Sequence, residues 1–507
     1  MPARAGTPAG PSPVDASAPP ASADVVVVGA GLAGLACARE LMGSGLDVLV
    51  LEADDEVGGR VRTDDVDGVL VDRGFQLLNP TYPALPRVVD VDALRLQPLG
   101  AGVVVARGEP VVRTLLADPV RRPDALPGML RSGLLPAGDL LGLVRLVARA
   151  VLTPVPRLER APDVGWHAAF DAAGLTGPLR RQVVEPFLTG TLADADGTTS
   201  RRYVDLLLRS FVAAGLLGSP GLPVGGMQAF SDAVAAPLPA GSVRTGARVR
   251  ATTRGPDGWQ VSGDHADGPF QVRARTLVLA GAAPATGALL GRPTPPDRVL
   301  TTVWHVSEEP LGTGRRGRYL HVSGDGSHRR RHGLVNTVVV SRSAPGYLPP
   351  RLDGRADLVA TTVLGTLGER AGERPAAVLA SVRDQAARVL GTSPRLLGHE
   401  VAVHEVVDAL PRRDLPLRTR RPVDLGDGLV VVGDHRDTPS IQGALVSGRR
   451  GAGAVLAHLG LRPAGSAETG SDGTYGGSST ADSSSSPRGT APTGGTTPTH
   501  PEATRAR

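Results

Sequence analysis

The chain has 507 residues and a formal net charge of +5, with 55 basic residues that are all arginine and a single cysteine, Cys37. That length exceeds what one hydrophobic core supports, so two consecutive or interleaved domains are expected, and one cysteine excludes both an internal disulfide framework and Cys-x-x-Cys redox chemistry. The small charge excess, the scarcity of aromatic residues and the lack of a recognition motif argue against nucleic acid as a partner, and no run reaches the ~18 apolar residues of a membrane span.

Residues 1–23 are rich in Pro, Ala and Ser and lack the apolar segment of a secretion signal, so they are expected to form a disordered leader on a cytoplasmic protein. Asp24–Val28 is a short β-branched run of the kind buried on both faces of a parallel sheet. Gly29, Gly31 and Gly34 follow in a G-x-G-x-x-G spacing. The first suits a tight turn, the second a close approach of backbone to a pyrophosphate, and the third the packing of a helix on the strand. That helix is predicted from Ala33 to Met42, and its N-terminal amides and positive dipole end suit a pyrophosphate. Gly43 and Gly45 stop it, and a second strand, Asp47–Leu51, ends in Glu52, placed to accept from a ribose 2′-hydroxyl. Strand, glycine turn, helix, strand and acid in order predict dinucleotide binding.

The continuation, Glu56-Val57-Gly58-Gly59-Arg60-Val61-Arg62-Thr63, brings a second glycine pair towards the same pyrophosphate with guanidinium donors beside it. Here the chain resembles the flavin-containing amine oxidoreductase superfamily of amine oxidases, protoporphyrinogen oxidases and carotenoid (phytoene) desaturases, and in character the last two most. The resemblance implies FAD as the cofactor. Val66–Gln76 reads as a strand pair. Either it runs past the flavin as in the resembled family, with Asp72, Arg73 and Gly74 on an acid-x-Gly signature, or it is an ordinary hairpin.

From about residue 90 to 217 the pattern reads as helices separated by Pro and Gly. Within it Asp139–Leu152 is a helix with a narrow polar stripe, Arg145 and Arg149. It is either buried in an inserted domain or a greasy lip for a lipophilic substrate or for peripheral contact with a membrane. A second helix runs from Arg201 to Ala214. Leu222 to Gln228 resembles the family's P-x-GGM element, followed by a helix to Ala236 and a strand, Val243–Val249, with Val249 as the implied adenine contact. Trp259–Val261 and Phe270–Arg275 read as hairpin strands, and Arg275–Gly281 as a core strand.

Residues 296–400 read as strands Val299–His305, Tyr319–Val322, Leu334–Ser341 and Leu358–Val363 and a helix, Pro375–Leu390. His328 and His332 flank three arginines without a completing ligand, so they read as a solvated loop and no metal site is expected. Gly428–Val432 is a strand, and the segment after it opens a helix to His458. By resemblance Gly433 and Asp434 lie by the pyrophosphate, and Ser440, Ile441, Gln442 and Ala444 stand where a helix N-terminus faces the flavin pyrimidine.

The expected fold is α/β: a Rossmann-type FAD-binding domain (24–85, 220–295 and 400–462) interleaved with an α+β substrate domain (86–219 and 296–399), with 463–507 a disordered tail. The resemblance implies an oxidase, dehydrogenase or desaturase of a small apolar organic substrate. The lysine that many amine oxidases place beside the flavin does not exist in this chain, which leaves amine oxidation as the alternative, and Cys37 lies in the wrong region for a cysteinyl linkage, so FAD is expected noncovalent. A flavin-binding assembly partner without turnover is the remaining alternative. No catalytic side chain is assigned.

Overall fold

The computed structural model describes residues 12–412 and 415–461. The tail expected from 463 and the first 11 residues of the leader lie outside them. Among the described residues two large sheets carry the architecture. In the first, parallel strands Val14–Asp15, Val243–Arg244, Val48–Leu51, Ser22–Val28, Gly268–Leu279 and Leu429–Val431 lie alongside one another, and an antiparallel hairpin, Arg248–Gly255 with Gly258–His265, extends it.

Val25, Val26 and Val27 are fully buried. Val25 and Val27 pack with the helices Leu32–Glu40, Gln228–Ala235 and Ile441–His458 on one face, while Val26 packs under the hairpin on the other. Alternation along a strand covered on both sides explains why this run is apolar at every position. The helices Leu32–Glu40 and Ile441–His458 meet through small residues: a Cβ on Gly448 would stand 2.2 Å from the Ala33 carbonyl oxygen.

The second sheet runs in the order His399–Leu410, Arg298–Val306, Leu358–Leu364, Leu334–Val339, Leu320–Ser323, Gly102–Arg107, Val112–Ala117. The helix Ala376–Leu390 covers part of one face. Trp304 and Tyr347 pack on the other, against the hairpin Thr63–Val66 and Val69–Asp72. Helices Ala137–Leu152 and Arg201–Leu217 belong to a helical insert with its own core around Trp166 and Phe170.

Several boundaries differ from the sequence reading. The leader joins the sheet from Ser12, where Val14–Asp15 pairs with Val243–Arg244 and Asp15 is ion-paired to Arg244. The boundary placed at 400 falls within His399–Leu410, a strand of the second sheet. The stretch read as wholly helical contributes the hairpin Gly102–Arg107 and Val112–Ala117, whose run Val103–Ala106 is fully strand-like in its burial. The strand expected over Val243–Val249 breaks at Gly246, where φ is +66°, and the chain turns from the parallel sheet into the hairpin. His328, read as solvated, is buried, and the next residue, Arg329, pairs with Glu185 of the insert.

Candidate cofactor site

The glycine turn is built on space that side chains would fill. Gly29 has φ +107°, and a Cβ there would lie 3.2 Å from the Ala280 carbonyl group. On Gly34 a Cβ would stand 2.0 Å from the Gly29 carbonyl oxygen, so only glycine lets the helix start this close to the strand. Gly31 differs: a Cβ on it would meet no protein atom within 4 Å. Its neighbour is the second glycine pair. Gly58 N–H donates to the Ala30 carbonyl at 2.9 Å, Gly31 and Gly58 form a parallel bridge, and a Cβ on Gly59 would lie 3.3 Å from Gly31 Cα. Two glycine backbones therefore face one another, and the amides of Leu32, Ala33 and Gly34 precede the first bond of the helix, Leu35 N–H to Gly31 O. A cradle of main-chain donors at a helix N-terminus fits a diphosphate.

Glu52 is 8% exposed, not a solvated strand end. Ala30 N–H donates to its Oε2 at 2.6 Å and Asp54 N–H to its Oε1 at 3.0 Å. Burial, partly opposed by these two donors, raises its pKa. Each oxygen keeps a second lone pair for a ligand hydroxyl. The Glu52 carbonyl accepts from Ala247 N–H at 2.7 Å, so Val249, two residues on and opposite Gly263, stands at the Glu52 end of the cradle.

Arg60 links the two ends of the chain. Its Nη2 donates to Asp434 Oδ1 at 2.8 Å, and its Nη1 donates to the Asp408 and Ala409 carbonyls, each at 3.1 Å. The guanidinium thus has protein acceptors in addition to any role towards a diphosphate. Asp297 lies in the same field: burial first, then Asp434 and Asp408, push its carboxyl up to about 6 against the pull of Arg60. Gly433, with φ +145°, donates its N–H to Ser447 Oγ at 2.9 Å. Ser440 caps the last helix by accepting from Gly443 N–H at 3.1 Å, Ile441 opens that helix, and Ala444 N–H bonds the Ser440 carbonyl. Gln442 Oε1 accepts from Ala84 N–H at 3.0 Å.

Sequence reasoning left Asp72 as one member of a signature, whereas in the structure it is a hub. Fully buried, its carboxylate accepts from Thr63 Oγ1 at 2.6 Å, Met227 N–H at 3.0 Å and Tyr347 Oη at 2.9 Å. Its carbonyl accepts from Trp304 Nε1 at 3.2 Å and lies 2.9 Å from His404 Nδ1. Burial pushes the carboxyl up to about 6 despite these donors. One residue thereby ties the glycine-pair hairpin, the turn Gly225–Met227 and the second sheet together, with Gly74 (φ +87°) against Val406 of that sheet. Nothing in the sequence ties Tyr347, Trp304 or His404 to Asp72, since each lies more than 200 positions away. Among the described residues no group of three His, Cys, Asp or Glu side chains could hold a metal ion, and no helix is long and apolar enough to cross a membrane.

Known proteins are similar to this chain in sequence or in fold. The provisionally named flavin-containing monoamine oxidase AofH of Mycobacterium tuberculosis is 38% identical over 141 residues, 27% of this chain and 29% of that protein, so the match spans under a third of the relative. A solved structure provisionally named protoporphyrinogen oxidase, from Exiguobacterium sp. 255-15, superposes with a TM-score of 0.62 at 16% identity over 86% of this chain and 99% of the other. Wild-type putrescine oxidase bound to putrescine gives 0.59 at 20% identity, over 86% and 99%. A model of the family described as flavin containing amine oxidoreductase matches residues 32–456. Because that match covers most of the chain, from the helix that follows the glycine turn to the last helix, the chain belongs to the flavin-containing amine oxidoreductase family.

Proposed function

We propose that the chain binds FAD noncovalently and oxidises a small, apolar organic substrate. The observation that carries the cofactor reading is the convergence of the glycine turn, the second glycine pair and the C-terminal Asp434 through the Gly31–Gly58 bridge and the Arg60–Asp434 pair. Flavin supplies hydride or electron acceptance when bound. The chain's own part is to hold it: backbone amides at Gly31–Gly34 and Gly59 for the diphosphate, Glu52 for a ribose hydroxyl, and the positive end of Ile441–His458 for negative charge. Noncovalent attachment is supported by Cys37, which is fully buried within the helix Leu32–Glu40 and whose thiol is pushed up to about 12 by burial and then by Glu40.

The apolar reading rests on the partly buried side chains between the insert and the second sheet: Phe75, Leu77 and Phe187, the last edge-on to Phe211 at 5.5 Å. With no lysine in the chain, no primary ammonium is available to hold a water beside a flavin. Amine oxidation is the second reading, favoured by the names of AofH and putrescine oxidase.

The test is to purify the protein, precipitate it with acid, identify the released ligand, and follow anaerobic bleaching with panels of isoprenoids and of amines. Intact FAD in the supernatant and bleaching by isoprenoids are expected. Flavin that stays with the pellet would overturn noncovalent binding, and bleaching by amines alone would overturn the apolar substrate. A flavin reduced by dithionite but by neither panel would point instead to an assembly partner without turnover.

A further inference from the structure

The far edge of the second sheet holds an open cavity of about 630 Å³ lined by six arginines, Arg107, Arg113, Arg122, Arg131, Arg315 and Arg316. The edge strand that forms its floor, Val112–Ala117, is six strand spacings from His399–Leu410, on the order of 30 Å from the strand that touches Arg60. The cavity is therefore separate from the cofactor cradle.

Five of the six arginines have no ion-pair partner among the described residues. The one acid in the lining, Asp124, is held by Arg122 at 2.6 Å. Arg107 and Arg113 spend their bonds on neutral acceptors: the Ser132 carbonyl and Gln182 for the first, the Val389 and Arg388 carbonyls for the second. Arg131, Arg315 and Arg316 form no ion pair and no side-chain hydrogen bond among the described residues. Two lining residues also carry buried polar atoms without a partner, Arg107 Nε and Thr313 Oγ1. After burial, the charges of Arg316 and Arg388 lower the pKa of Arg113, which registers the crowding of like charge. Such crowding is unfavourable until an anion occupies the site.

Guanidinium forks match phosphate oxygens two at a time, and each such bond is charge-assisted. The volume lies within the ~300–1,000 Å³ of small-molecule sites, larger than a lone ion needs, and Val112, Leu115 and Ala125 give the wall an apolar part. We propose that this cavity binds a small organic phosphate carrying two or more negative charges, with its phosphate end among Arg113, Arg131, Arg315 and Arg316 and its organic portion along Val112 and Leu115. The same chemistry is offered by a soluble diphosphate or triphosphate and by the phosphomonoester headgroup of a lipid.

Calorimetric titration of the flavin-loaded full chain with inorganic triphosphate is expected to show one saturable site. Arg131→Glu/Arg315→Glu/Arg316→Glu should weaken it by roughly tenfold or more while leaving the flavin spectrum unchanged, because these side chains hold nothing in the fold. Cosedimentation with phosphatidylcholine vesicles, with and without phosphatidic acid, separates the two sources. Triphosphate binding without vesicle binding assigns a soluble ligand, and phosphatidate-dependent sedimentation that triphosphate reverses assigns a headgroup. Should the triple variant lose its flavin, Arg316→Ala alone, read by the same titration, is expected to weaken binding severalfold. Absence of both triphosphate and phosphatidate binding, or binding that the variants retain, overturns the proposal.

Discussion

The two sheets are held in place differently. Around the first, the fit is written in missing side chains: Gly34, Gly58 and Gly448 each stand where a Cβ would collide with backbone or a buried hydroxyl, and Gly29 is crowded at φ +107°. Around the second, it is written in side chains that meet across long stretches of chain, such as Asp72 with Tyr347 and Trp304. The first kind of site tolerates little change because its neighbours are main chain and cannot move aside. The second is held by side chains, which can repack.

The largest effect is therefore expected at the turn. Gly34→Ala places a Cβ 2.0 Å from the Gly29 carbonyl oxygen, and relief requires the helix to move off the strand. Overpacking of this sort costs about 3 kcal/mol or more, and the purified variant should retain no flavin. Absorbance of the flavin band together with thermal unfolding checks this; a yellow variant of wild-type stability would show that the helix start is not held by the turn.

Next is the bond between the chain's two ends. Arg60→Met leaves Asp434, whose side chain is 7% exposed, and two carbonyls without their guanidinium donor. A broken buried pair costs about 3–5 kcal/mol, and since the Arg60 side chain is 29% exposed about 2–3 kcal/mol is expected here after screening. Asp434→Asn in the Arg60→Met background should recover part of that loss, as read by urea unfolding of the two single variants and the double.

Asp72 provides the corresponding change on the side of the second sheet, and it is readable through pH. Its carboxyl moves from 3.8 to about 6 on folding, so over that interval the folded state binds more protons than the unfolded one. The contribution is complete below the ordinary carboxylate range and is lost as pH rises through about 6. Relative to Asp72→Asn, which cannot titrate, the wild type should gain up to about 3 kcal/mol as pH falls from about 7 to about 4. A difference that does not vary with pH would mean that Asp72 titrates normally.

These contrasts also explain what was legible beforehand. Gly29, Gly31, Gly34, Glu52, Gly58 and Gly59 lie within one short stretch of chain, so a spacing rule reaches all of them. Gly433 and Asp434 are distant, and only the resemblance of their segment to the family pointed to them. Asp72 was visible only as an acid near a glycine, because its partners Tyr347, Trp304 and His404 are joined to it by tertiary packing alone. The hairpin Gly102–Arg107 and Val112–Ala117 was hidden by flanking Pro and Gly, which suit helix ends and strand turns equally. His328 looked solvated because three arginines follow it, while Glu185, which pairs with Arg329, lies 144 positions before that arginine.

The smallest expected effect is at Glu52, where two roles must be separated. The carboxylate already orders the turn by accepting from Ala30 N–H and Asp54 N–H, so Glu52→Ala would weaken FAD binding through either role, and a ten- to hundredfold loss alone would not distinguish them. The ribose role makes a narrower claim: the wild-type protein should prefer FAD to an analogue lacking the adenosine 2′-hydroxyl. One charge-assisted hydrogen bond is worth about 1.5–3 kcal/mol in isolation, and because Glu52 has already committed one lone pair on each oxygen, the low end, about tenfold in affinity, is expected. In Glu52→Ala that preference should vanish while both ligands bind more weakly. Fluorescence quenching titrations of the two flavins against the two proteins, with circular dichroism to confirm folding, give the four affinities. Equal affinities of the wild type for both flavins would leave Glu52 as a residue that shapes the turn and touches no ribose.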